Sequence, residues 1–126
     1  TLGHLDGLPL TLKDAVRVEG SITTWGMLPL RRHMPRRSSR AVDVLLRQGA
    51  VLLGRTTVPT ASFDWNGVNG VHPRCVHPLD PERVPGGSSA GAAAAVAAGL
   101  SPLDVGSDVA GSVRVPCGWC GVAGLR

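Results

Sequence analysis

A chain of 126 residues, 43% hydrophobic and 17% charged, has the size and composition of one ordinary domain, which excludes an intrinsically disordered chain. Aromatic residues make up only 3%, so Val, Leu and Ala must fill the core. No apolar run free of Gly, Pro or charge is long enough to cross a bilayer and no secretory leader is visible, so a soluble, cytoplasmic protein is expected.

In chain order, Leu8, Leu10 and Leu12 alternate with Pro9 and Thr11 and run into Lys13-Asp14, the periodicity of a strand that ends on a charged pair. The net charge of +4 is concentrated in RRHMPRRSSR at 31–40, which carries no interleaved aromatic residue and reads as a solvated loop rather than a nucleic-acid surface. Ser38-Ser39 then offers an N-cap, Val42, Leu45 and Leu46 recur at helical spacing, and Gly49 supplies a stop. Residues 50–53 predict a short buried strand. Helix and strand together make half of an α/β unit.

Residues 54–87 are broken by repeated Pro and Gly, which predicts irregular structure with a helical turn near Thr60–Asp64. Ser88 or Ser89 is placed to cap a helix over Ala90–Ala98, ended by Gly99. A strand at 103–105, a loop at 106–111, a turn and helix from Ser112, and a last strand at 122–125 complete the reading. Cys117 and Cys120 form a CxxC without a second pair; with Cys75 they read as packed small side chains, neither disulfides nor metal ligands. The four histidines have no ligand spacing, and Trp25, Trp65 and Trp119 read as packing residues.

The segment from Pro85 to Arg126 carries the chemistry. Two Gly/Ser-rich loops flank an alanine helix, and the chain's single lysine lies far upstream. Glycine lets backbone amides approach a ligand, and serines in such loops act as nucleophiles, proton relays or helix caps. A helix this small in side chain packs closely and holds the loops at its ends rigid. The combination suggests covalent chemistry on a carbonyl.

GLPLTLKD at 7–14, GAVLLGRTTVP at 49–59, PGGSSAG at 85–91 and GSDVAGSVRVP at 106–116 together resemble the amidase signature family of serine hydrolases. The resemblance runs from Gly7 to Arg126. It implies a layered α/β/α fold with a mixed sheet, of which 1–126 is one partial domain, truncated at both ends. It also implies Lys13 as base, Ser88 as relay after a cis peptide, and Ser112 as the acylated nucleophile. The backbone N–H groups of Val109, Ala110, Gly111 and Ser112 are the implied oxyanion donors, with Ser89, Asp108 and Arg114 in support. Ala110 and Ala90 stand where the family usually has glycine, Thr57 where it has asparagine and Thr60 where it has glutamate. The substrate implied is a small-molecule amide, with no cofactor, no metal, no membrane and no direct nucleic-acid contact.

Each residue also has a plainer reading. Lys13 could be a surface lysine beside Asp14, and the serines could merely cap helices. A lysine titrates at about 10.4 when free, so service as a base at neutral pH requires lowering it by about three units, or roughly 4 kcal/mol of burial. Three alternative functions stand beside amide hydrolysis: the A subunit of a tRNA-dependent amidotransferase, a phosphate- or nucleotide-binding module built on PGGSSAG, and an inert fragment.

Overall fold

A computed structural model describes residues 3–126. Three strands, β1 (Pro9–Lys13), β2 (Val51–Thr56) and β3 (Asp104–Val105), form a parallel sheet in the order β2-β1-β3. The three helices are α1 (Arg40–Arg47), α2 (Ala90–Ala97) and α3 (Arg114–Cys120). The α/β class follows the sequence. The mixed sheet implied by the resemblance is not seen among the described residues, whose strands are all parallel because each connection crosses over through a helix.

β1 is central, and its alternation divides the molecule into layers. Leu10 and Leu12, each 1% exposed, face Val42 of α1 together with Val18 and Ala50. Burying a leucine completely contributes about 1.5–3 kcal/mol, so this cluster anchors one face of the sheet. Lys13 points to the other face, where α2 lies across all three strands. Strand alternation therefore gives β1 an apolar side and a reactive side.

α1 ends where expected, with Gly49 at φ +90° in the left-handed region. Its N-cap residue is Ser39, but the side chain makes no capping bond. β2 runs three residues further than predicted and is not buried: Val51 and Leu53 are 48% and 54% exposed. It is one of the two outer strands here, and a register slip between Leu10 and Thr11 leaves Leu53 bulged. The expected helical turn after Pro59 is a single 3₁₀ turn, Thr60–Ser62, with Ala61 and Ser62 left-handed.

α2 begins at Ala90 as expected, with Ala90, Gly91, Ala92 and Ala93 buried. Gly91 is required here: a Cβ would sit 2.5 Å from the Thr57 backbone nitrogen, and Gly91 N–H donates to Thr57 O at 3.0 Å. α3 tolerates Pro116 because it lies in the first turn, where backbone N–H groups lack helical partners. Residues 122–125 are not a strand. Gly121 turns the chain away at φ +70°, and among the described residues no strand pairs with this segment. The three tryptophans are 40–51% exposed rather than core, and all three cysteines are free. Among the described residues no helix is long and apolar enough to cross a membrane.

Candidate active site

Lys13 is the last residue of β1 and is 0% exposed. This rules out the surface reading. Asp14 does not pair with it: its carboxylate accepts from the Thr24 N–H at 3.0 Å and the Thr24 hydroxyl, and lies 3.7 Å from Arg55. The Lys13 amine instead donates to Ser88 Oγ at 2.7 Å, to Ser107 Oγ at 2.9 Å and to Ser107 O at 3.4 Å. Burial lowers Lys13 from its ordinary 10.5 to about 8, against the opposing charges of Asp104 and Asp108. An amine in that range is partly uncharged near neutral pH and can accept a proton.

Ser88 is 2% exposed and follows a cis Gly87–Ser88 peptide bond, as the resemblance implies. Gly87 lies against the 64–65 backbone, where an added Cβ would meet Asp64 O at 2.6 Å and Trp65 Cα at 3.0 Å. Backbone cannot swing aside as a flexible side chain can. Gly87→Ala is therefore expected to destabilise the full-length protein by about 1–3 kcal/mol and to lower its activity. A denaturant midpoint unchanged from wild type would contradict this.

Ser89 occupies the N-cap position of α2 without a capping bond; its hydroxyl donates weakly to Ser107 O at 3.5 Å. Its N–H donates to Ser112 O at 3.0 Å, tying the helix start to the second loop. Gly91 N–H likewise donates to a protein carbonyl, so these two amides of PGGSSAG are already committed within the protein.

The second loop is organised by Asp108, whose side chain is 2% exposed. Its Oδ1 accepts from Gly111 N–H at 2.8 Å, and its Oδ2 from Val113 N–H at 3.0 Å and Arg114 N–H at 3.1 Å. The Arg114 guanidinium closes on both oxygens, Nε to Oδ2 at 3.0 Å and Nη2 to Oδ1 at 2.9 Å. This fork and the backbone bonds hold the Asp108 carboxyl far below the usual carboxylate range. Gly111, at φ +103°, makes the turn into Ser112.

One expectation changes as a result. Gly111 N–H is already committed to Asp108, so among the implied oxyanion donors Val109, Ala110 and Ser112 are those without an acceptor among the described residues. Val109 is 90% exposed and Ala110 is exposed too, so the extra methyl at 110 faces outward rather than crowding the loop. Ser112 is half-buried, and its hydroxyl has no hydrogen bond to Ser88 or Lys13. The structure thus joins Lys13 to Ser88 and ties the Ser112 main chain to Ser89, but leaves the Ser88–Ser112 link unmade. Such contacts often close only around substrate.

The same loop gives a mutational test. Asp108→Ala removes the side-chain bonds that hold the loop around Ser112, and a misplaced nucleophile can cost about 10²-fold in rate. Turnover by the full-length protein is expected to fall by that order while Ser112 stays present; wild-type turnover would show that the turn holds itself.

Ser107 was missed in the sequence. It supplies two of the three acceptors around the Lys13 amine, yet it reads there as one more loop serine. Its place directly after Gly106 was the available signal: a Cβ on Gly106 would lie 2.6 Å from Ser89 Oγ, so the chain at 106–107 is pressed against the start of α2.

The family model Amidase matches residues 1–126. The chain belongs to the amidase family. It is 40% identical over 126 residues to the A subunit of the glutamyl-tRNA(Gln) amidotransferase of Chloroflexus aurantiacus, covering 100% of this chain and 26% of that one. It is 43% identical over 125 residues to an acylamidase of Rhodococcus erythropolis, with 99% and 26% covered. Among solved structures, the A subunit of the glutamyl-tRNA(Gln) amidotransferase of Thermotoga maritima superposes with a TM-score of 0.88 at 33% identity over 95% of this chain and 26% of that one. This amidase-family chain therefore spans about a quarter of the length of the relatives it matches.

Proposed function

We propose that the full-length protein hydrolyses a carboxylic amide through an acyl-enzyme on Ser112. The observation that carries this reading is the buried Lys13 amine, 2.7 Å from Ser88 Oγ and lowered to about 8. A serine hydroxyl is a poor nucleophile until a base removes its proton. Neutral Lys13 takes the Ser88 proton as Ser88 takes that of Ser112, and Ser112 Oγ bonds to the amide carbon. Negative charge gathers on the carbonyl oxygen, within reach of the Val109, Ala110 and Ser112 N–H groups. Removal of one such donor typically costs about 10²–10³ in rate. As the C–N bond breaks, the same chain returns the proton to the leaving nitrogen. Water then enters by the reverse relay, releases the acid and regenerates Ser112.

The likeness to an acylamidase supports a small-molecule amide as substrate, and three free cysteines fit a reducing cytoplasm. The deciding experiment incubates the full-length protein with a panel of simple amides and weighs it intact. A mass increase equal to the acyl group, located on the peptide carrying Ser112, is the expected result; adducts mapped elsewhere would overturn it.

A second reading rests on the 40% identity to an amidotransferase A subunit. There the same chemistry would release ammonia from glutamine for a misacylated tRNA held by partner subunits. Glutamine turnover that appears only on adding partner subunits and tRNA would favour it over a stand-alone amidase.

A further inference from the structure

The face of the sheet beneath α2 carries a polar row that the proposed reaction does not use. In the strand register Thr11 of β1 pairs with Asp104 of β3, and Lys13 pairs with Thr56 of β2. Thr56 Oγ1 donates to Asp104 Oδ2 at 2.9 Å, so a hydrogen bond bridges the two outer strands across β1, on the side from which Lys13 rises. Asp104 Oδ1 is buried and has no partner among the described residues.

The charged groups around the amine separate cleanly. From the loop after β3 comes Asp108, neutralised by the Arg114 fork. From β2 comes Arg55, bound to the Lys13 and Val16 carbonyls and to Asp14. Asp14, next in the chain after Lys13, is held by Thr24. α2 contributes no titratable side chain. Asp104 remains, a carboxylate with no ion pair among the described residues, next to the strand that ends in the base.

We propose that Asp104 is a positioning residue for Lys13, a braced carboxylate that sets the acidity at which the amine releases its proton. This rests on the role assigned to Lys13 above. Burial pushes the Asp104 carboxyl up, while the Thr11 and Thr56 hydroxyls and the Lys13 and Arg55 charges pull it back toward ionisation. Its negative charge in turn favours the ammonium and offsets part of what burial does to Lys13, more strongly than Asp108 does. Without Asp104 the amine would lose its proton at lower pH and be a weaker base when it acts.

The test measures kcat/KM against pH for the full-length wild type, Asp104→Asn, Asp104→Ser, Asp104→Glu and Lys13→Ala. In the neutral Asp104 variants the acid limb is expected to move to lower pH by about one unit, the size of one charge acting at this range. Asp104→Glu should restore the limb toward wild type. A purely structural role would lower activity without moving the limb, and an unmoved limb in a folded Asn or Ser variant overturns the proposal. So does a result in which both neutral variants fail to fold while Asp104→Glu folds. Full activity in Lys13→Ala would instead sink the hydrolase reading itself, so the two failures are distinguishable.

Discussion

Ser112→Ala in the full-length protein is expected to abolish labelling by a fluorophosphonate and to lower amide turnover by at least about 10⁴-fold, the order lost when the nucleophile of a serine hydrolase is removed. The loss should not be a folding effect. Ser112 is half-buried and its hydroxyl makes no bond to Ser88 or Lys13, while the contact to Ser89 runs through its main-chain carbonyl. The turn is shaped by the Asp108 carboxylate, which the substitution leaves in place. Thermal unfolding should therefore stay near wild type while labelling disappears. Intact labelling of the variant would assign the nucleophile to another residue, and Ser88 would be the first to examine.

Lys13→Ala is expected to slow labelling and turnover by about 10²–10⁴-fold, the usual contribution of a positioned general base, and to change the form of the pH profile. With the base at about 8, wild-type kcat/KM should rise as pH increases through that value, because only the uncharged amine accepts the Ser88 proton. The sign follows from burial. Taking the amine out of water disfavours the ammonium, so the folded protein releases this proton below the 10.5 of a free lysine, and the active fraction grows with pH. In Lys13→Ala this limb should vanish and leave a slow, nearly flat rate. A limb that persists would show that a different group titrates.

The elements with a strict period were legible in advance. Leu10 and Leu12 marked β1, Val42 and Leu45 marked α1, and the alanine run marked α2, because one buried face imposes a spacing on the residues that form it. What failed depended on neighbours in space. Residues 122–125 have strand composition but no strand to pair with among the described residues, and Val51 and Leu53 look like core until the sheet order puts β2 outside. The motif serines could be located, but not how their bonds are shared. Ser89 reads as a cap and is used to fasten two loops, and Gly111 reads as a donor to substrate although Asp108 has taken its N–H. Ser107 and Asp104 lay in plain sight, and only the bonds to the Lys13 amine and the strand register give them meaning.

The crowding of the lysine head group by one serine has a stereochemical consequence. An ammonium has three hydrogens, and here each faces an oxygen: Ser88 Oγ, Ser107 Oγ and Ser107 O. An uncharged amine keeps two hydrogens and a lone pair. If Ser107 retains its two, the non-bonding electrons are left aimed at Ser88, so deprotonation itself turns a donor into an acceptor along the same 2.7 Å line, with no rotation of the side chain.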